Sequence, residues 1–467
     1  MNQPNILFIM TDQQRADAMG CSGGWVHTPN LDRIASEGVR FANAVTNSPV
    51  CIPARVSLIT GRYPHNTTIW DNCAHDMPPE TSTWWQKIRD AGYRTSLFGK
   101  THLHRHTGDL RDREDLIKAY GMDDIDEIAG PRASARCWSH MTERWEQKGL
   151  WQEYIDDYAE RFRHKPWVVR PSTLPLEEYA DVYVGQQAKA YLENYNRKEP
   201  WFCHVSFGGP HEPWDTPVPY AGMYPPETMP LPTGCTEDLN SESLNGNLGN
   251  ILRSAPESLS SKDIASMRAN YAGNVTLIDD QIGELLKTVE ARGELENTVI
   301  VFSSDHGEMN GDHGLIYKGH FLNGAVRVPL LVRTPETAAR NSGGAVSESP
   351  VEWMDIGPTL VEYAGGELQH QQFARSLCSS VKDPNTEHRP FAVSEISREL
   401  MIMDRRWKCV FNREGEPYLL FDQINDPDET RNRVNDEDAG DILTRMEHQL
   451  FRHLVQTQVD IKWDGNA

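Results

Sequence analysis

The stretch CIPARVSLITGR, residues 51–62, sets a thiol four positions ahead of a guanidinium with a proline between them. A thiolate is a nucleophile, and arginine is a fixed cation with a forked set of donors. Together they could bind and attack an anionic ester. The plainer reading is a buried thiol at a loop-to-helix junction. Which reading holds depends on what gathers with Cys51. Several polar groups follow apolar runs: Asp12 after 5–10, Lys100 and His102 after 94–98, His211 after 201–207, and the pair Asp305-His306 after 298–303. Arg55 and Lys318 add positive charge. Singly, each has an ordinary structural explanation: a helix cap, a solvated lysine, a core histidine.

The apolar runs read as buried strands, with a further one over 328–332. Between them, Ile264, Met267, Tyr271, Ile278, Ile282, Leu285, Leu286 and Val289 recur at helical spacing and predict one long helix. Shorter helices are expected from Pro29, from Val56, over 83–90 and over 355–363. Strands alternating with helices predict an α/β fold with a large, mostly parallel central sheet flanked by helices. In such sheets the carboxyl ends of the strands face a ligand crevice. That placement would bring Asp12, His211, Asp305 and His306 to one crevice. Beyond residue 370 the runs become short and closely spaced, at 391–396, 401–403, 407–411 and 418–421, followed by helical spacing over 438–455. They predict a smaller antiparallel sheet with a helix, hence two units, 1–370 and 371–467. Residues 104–199 show no chemical pattern and read as helices and loops shaping an entrance. Residues 212–261, rich in Pro, Ser and Asn, read as a long surface insertion.

The chain has 467 residues, 38% hydrophobic and 24% charged, with a net charge of -22. That balance argues against a nucleic-acid partner, since no basic surplus remains for phosphates. No stretch reaches membrane-spanning length. Eight scattered cysteines form no CxxC pair, and the N-terminus lacks a basic leader. A reducing, cytoplasmic setting is expected.

Cys51-Ile52-Pro53-Ala54-Arg55 resembles the C-x-P-x-R signature of the type I sulfatases, in the alkaline phosphatase superfamily, and residues 58–62 (LITGR) continue it. Further blocks agree, at 5–12, 99–102, 304–318 and 326–329, as does FDQINDPDETRN at 421–432. The resemblance implies that Cys51 is oxidised to formylglycine by a formylglycine-generating enzyme. Its hydrate would attack the ester with one hydroxyl and expel the oxyanion with the help of the other. Arg55 would hold that nucleophile, and the N–H groups of the helix starting at Val56 would favour the substrate's anion. Asp12, Gln13, Asp305, His306 and the modified Cys51 would bind a divalent metal, calcium first and manganese second. Lys100 and Lys318 match positions contacting sulfate. His211, alone or with Lys318, matches the acid for the leaving alkoxide, and His102 a base for the breakdown step. Asn72 and Thr101 match substrate-binding groups. Asp312, His313 and His320 read as loop residues.

Two departures stand out. Asp12-Gln13 and Asp305-His306 replace the commoner Asp-Asp and Asp-Asn and are similar to the phosphonate monoester hydrolase branch. Leu322-Asn323 is a third, with no evident consequence. The expected function is hydrolysis of small anionic esters: sulfate monoesters first, phosphonate monoesters or phosphodiesters as the alternative. A tyrosine-phosphatase reading fails on spacing, since that motif is C-x5-R. A cysteine hydrolase would have no use for the carboxylates, and a catalytically dead binding module would have lost the reactive set. By analogy a homo-oligomer is expected.

Overall fold

The computed structural model describes residues 3–73, 75–164, 167–236, 239, 244, 246–254, 259–340 and 344–460, so part of the predicted 212–261 insertion lies outside the described residues. Eight strands build the larger sheet: β1 Asn5–Thr11, β2 Val39–Val45, β3 Arg94–Gly99, β4 Asp124–Glu127, β5 Trp201–Ser206, β6 Thr298–Ser304, β7 Leu330–Arg333 and β8 Ala345–Glu352. Their spatial order is β8-β2-β7-β6-β1-β5-β3-β4. Only β7 runs antiparallel to its neighbours; every other adjacent pair is parallel. The large mostly parallel sheet is therefore as expected.

β1 shows why these runs become strands. NILFIMT alternates across the sheet plane. Ile6, Phe8 and Met10 pack on one face with Ile52, Val56, Trp84 and Leu360, while Leu7 and Ile9 pack on the other with Leu31, Val184 and Ile278. Both faces are covered by helices, so the strand reads as one continuous apolar run. The helices used below are α1 Pro29–Ser36, α2 Cys51–Thr60, α3 Trp84–Asp90, α4 Ala180–Asn194, α5 Ser261–Ala291 and α6 Ile356–Tyr363. The 31 residues of α5 begin in a capping box, with Ser260 accepting from the Asp263 N–H.

Three strands of the larger sheet escaped the sequence reading for physical reasons. β2 (VRFANAV) and β8 (AVSESPVE) carry polar residues at partly exposed positions, and β4 (DIDE) is a polar edge strand. The helix expected from Val56 begins earlier, at Cys51. Pro53 is compatible with this earlier start. It lies in the first turn, where a missing N–H breaks no intrahelical bond. Gly61, at φ 67°, closes α2 in the left-handed conformation.

The second sheet is an antiparallel meander: β9 Ala392–Ile396, β10 Glu399–Met403, β11 Trp407–Phe411 and β12 Pro417–Asp422. The final helix, α7 Gly440–Gln456, seats Met446 and Leu450 against Ile402, Cys409 and Leu420. On the opposite face Ala392, Met401 and Phe421 join Val45, Leu322 and Val326 in a shared core. Among the described residues, no helix is long and apolar enough to cross a membrane.

Candidate active site

Sheet register brings the acidic groups together. Thr11 of β1 lies opposite Ser304 of β6, so Asp12 and Asp305 leave adjacent strand ends side by side, both fully buried. Gly99 ends β3 opposite Ser206 and Glu127. Its φ is 112°, and a Cβ there would stand 1.9 Å from the Ser206 carbonyl oxygen. Only glycine can make this turn. It sends Lys100 back over the sheet end, where Nζ lies 2.5 Å from Asp12 Oδ2. α2 delivers the remaining member. Cys51, its first residue, is 1% exposed, with Sγ 3.1 Å from His306 Nε2 and 3.9 Å from Asp12 Oδ1.

Asp12, Cys51, Asp305 and His306 thus offer one donor atom each, all within 4.8 Å of one another. Each carboxylate faces two ways. Asp12 Oδ2 accepts from Arg55 Nη2 at 3.0 Å and Asp305 Oδ2 from Arg55 Nε at 2.8 Å. Asp12 Oδ1 and Asp305 Oδ1 stand 3.9 and 3.6 Å from His306 Nε2. His306 Nδ1 lies 3.0 Å from the Gly307 carbonyl, to which it must donate, and this turns the Nε2 lone pair to the cluster. Two carboxylates and an oriented imidazole, all buried, fit a divalent cation. Burial and Cys51 push Asp12 up, but Lys100, His211 and Arg55 hold it well below the usual carboxylate range. Burial likewise raises the Cys51 thiol, and Lys100, Lys318 and His306 outweigh it to bring the group well below its ordinary value. The residue at 51 sits in a field that favours a negative oxygen or sulfur.

Arg55 is expected to hold residue 51; beside the Cys51 thiol its side-chain hydrogen bonds go to Asp12, Asp305, Ser206 and the Lys100 carbonyl. Its guanidinium clamps Asp12 and Asp305, and Nη1 donates to the Lys100 carbonyl at 2.7 Å. The helix N–H groups are also less free than expected. Asn72 Oδ1 accepts from the Ile52 N–H at 2.9 Å, Ala54 N–H returns to the Val50 carbonyl, and Pro53 has none. Asn72 therefore caps α2 from another loop, where its own N-cap residue, Val50, has no side chain to do so.

Above the cluster opens a cavity of about 340 Å³ whose lining includes Cys51, Asn72, Lys100, His102, His211 and Lys318. His211 Nδ1 lies 2.7 Å from the Glu212 carbonyl and 3.1 Å from Glu212 Oε2, and its Nε2 is 2.9 Å from Lys318 Nζ. The lysine proton thus points at the imidazole, an arrangement able to hand a proton to a leaving oxygen. Burial lowers Lys318, but Cys51, Glu212 and Asp12 outweigh it and raise it. Burial and Lys100 push His102 down to about 3, which keeps the imidazole neutral.

Two expected site residues stand differently. The Gln13 carboxamide oxygen is already bonded to Lys318, and its nitrogen donates to Glu212 and Glu308. Thr101 is not part of the cavity wall; its hydroxyl donates to Glu127. Asp312 pairs with Arg15 and Arg268, and His313 and His320 are buried. Sequence reasoning missed Glu212, although it adjoins His211. It also missed Arg132, Arg136 and His106 in the cavity wall, which come from the unpatterned 104–199 stretch. There the only available signal was alternation: histidines at 102, 104 and 106.

The Sulfatase family model matches residues 4–366, and a model described as N-sulphoglucosamine sulphohydrolase, C-terminal, matches residues 311–456. An arylsulfatase of Clostridium perfringens is 29% identical, over 97% of this chain and 94% of its own. A choline-sulfatase of Rhizobium meliloti is 28% identical, over 92% and 82%. In fold, the chain is similar to a phosphonate monoester hydrolase of Agrobacterium radiobacter, with a TM-score of 0.78 over 97% of this chain and 96% of that one, at 24% identity. The match spans both sheets and every block that carries the buried cluster, and the chain belongs to the sulfatase family of the alkaline phosphatase superfamily, as a hydrolase of sulfuric esters.

Proposed function

We propose that the cavity hydrolyses sulfate monoesters, and that residue 51 works as the formylglycine derived from Cys51 by a formylglycine-generating enzyme. The reading is supported above all by the convergence of Asp12, Cys51, Asp305 and His306 at the floor of a cation-lined cavity. As an aldehyde hydrate, residue 51 presents two hydroxyls on one carbon, one to attack sulfur and one to lose a proton as the product leaves. Asp12, Asp305, His306 and residue 51 would hold a divalent cation, calcium first and manganese second. The Gln13 oxygen, which already accepts from Lys318, could join with its second lone pair. Once bound, the cation supplies a Lewis acid for a sulfate oxygen.

The other roles fall to the chain itself. Arg55 fixes the two carboxylates. Lys100 and Lys318 bind the sulfate oxygens, and Asn72 lines the same wall. The Lys318–His211 pair protonates the leaving oxygen, with Glu212 keeping His211 Nδ1 occupied. His102 takes the proton released at residue 51. Thr101 acts through Glu127 and not on substrate.

A second reading, hydrolysis of phosphonate monoesters or phosphodiesters, rests on Gln13 and His306, which stand where many sulfatases carry Asp and Asn. kcat/KM for an aryl sulfate, a phosphonate monoester and a phosphodiester decides between them: the sulfate is expected to lead, and a clear preference for phosphorus esters reverses the order. Mass spectrometry of the peptide containing residue 51 is expected to show the aldehyde or its hydrate, and Cys51→Ala is expected to abolish turnover while keeping the fold. Unmodified thiol throughout an active preparation would sink the mechanism.

A further inference from the structure

The loop leaving β3 carries histidines at 102, 104 and 106, and only the first belongs to the chemistry above. The other two turn toward Glu127. β3 and β4 are neighbours with Gly99 opposite Glu127, so the topology itself sets this loop over that carboxylate. His104, His106 and Glu127 are 1%, 6% and 6% exposed. His104 Nε2 lies 2.8 Å from Glu127 Oε2 and His106 Nε2 lies 3.4 Å from Glu127 Oε1; one donor atom from each falls within 4.8 Å of the others.

Hydrogen bonding leaves this arrangement incomplete. His104 Nδ1 is 3.1 Å from the Arg105 carbonyl, an acceptor, so that nitrogen carries a proton. The Nε2 facing the carboxylate then needs either a second proton or a metal ion. A second proton would satisfy His104 as an ion pair, but it does nothing for His106. His106 Nε2 is buried and meets Glu127 Oε1 only at 3.4 Å, without the alignment of a good hydrogen bond. Donor atoms bound at about 2.1 Å to one tetrahedral ion stand roughly 3.4 Å apart, close to the His106–Glu127 spacing. Two imidazoles and one carboxylate suit a transition ion and not calcium. Thr101 orients the carboxylate by donating to Oε1, as the partners of metal ligands do.

We propose that His104, His106 and Glu127 bind a second divalent ion of the zinc type, separate from the cation of Asp12, Asp305 and His306. Three protein donors leave a fourth position for water or substrate. His106 lines the cavity, and its ring stacks on His102 with centroids 4.8 Å apart. The ion would add positive charge to the cavity wall and tie down the loop that carries Lys100 and His102.

The full-length Cys51→Ala chain, which lacks the competing thiol, is held in excess Ca2+ to fill the first site and titrated with Zn2+ against a chromogenic chelator. One tight equivalent of zinc is expected, absent from His104→Ala/His106→Ala and weakened at least about tenfold in Glu127→Gln. Crystals of the unsubstituted enzyme grown with Zn2+ are expected to give an anomalous peak at the zinc edge between the three side chains. That measurement remains decisive even where a variant misfolds. No zinc equivalent beyond the calcium-filled site, undiminished zinc in the folded double variant, or no peak among the three side chains each overturns the proposal. None of these readouts depends on turnover, so failure of the sulfatase mechanism leaves them interpretable.

Discussion

Arg55 serves two carboxylates with one planar group, Nε to Asp305 and Nη2 to Asp12. Lysine offers a single point of charge and cannot span both. Arg55→Lys is therefore expected to lower kcat/KM on the order of a hundredfold, a loss of the size seen when one preorganised electrostatic contact is removed from a site. A metal titration should show weaker divalent binding alongside it. Unchanged metal affinity would mean that the clamp does not organise the cluster. Glu212 acts at one remove, through His211 Nδ1. Burial raises its pKa, but His211, Lys318 and Arg132 outweigh burial and hold it below the ordinary value, so it stays ionised. Glu212→Gln is expected to reduce kcat by about tenfold or more with KM little changed, and to move the alkaline limb of the kcat–pH profile, which reports the proton donor. A substrate with an acidic leaving group, needing no proton, should be spared. If both substrates suffer equally, Glu212 is only structural.

Among the elements, α2 holds residue 51 in place, and its cap comes from outside the helix. Asn72→Ala removes the acceptor for the Ile52 N–H and is expected to cost about 1 kcal/mol of stability, the usual value of a cap. Because Asn72 also borders the cavity, KM should rise in the same variant. Denaturant unfolding and steady-state kinetics on one preparation test both, and a variant with wild-type stability would remove the capping role. This long-range cap also shows what the sequence could and could not disclose. The apolar runs of β1, β3, β5 and β6 were legible because strands buried on both faces need continuous hydrophobicity. Their polar end residues were legible for the same reason, as abrupt departures from it. Hence Asp12, Lys100, Asp305 and His306 could be read from local pattern. β4 could not, because an edge strand is free to be polar. Arg132, Glu127 and the capping by Asn72 act through contacts between segments far apart in the chain, and no local pattern marks them.

For the molecule as a whole, three deeply placed histidines outside the site contribute to the response to acid. Burial pushes His204, His320 and His453 each down to about 3. Their folded pKa is below the unfolded value near 6.5, so the unfolded chain binds the extra protons between these limits. The stability they contribute is complete above about pH 6.5 and is lost as pH falls, at up to ~1.4 kcal/mol per pH unit for each group. His204 stacks on Phe8 at 4.6 Å, with neither ring nitrogen hydrogen-bonded. His204→Phe keeps the stacked ring and removes the titration. The decline of melting temperature from pH 6.5 to 5 is expected to be shallower in this variant than in the parent, and parallel curves would rule His204 out. The burial of α2 has a consequence of another kind. All ten of its residues are buried, Cys51 among them at 1% exposed. A second enzyme that oxidises Cys51 needs to grip the peptide around it, which the finished molecule withholds. On the proposed mechanism the conversion would have a deadline: it would have to be done on the nascent or unfolded chain, and any copy that folds first would stay a thiol. The active fraction of a preparation would then record a race between folding and maturation, lost or won once per molecule.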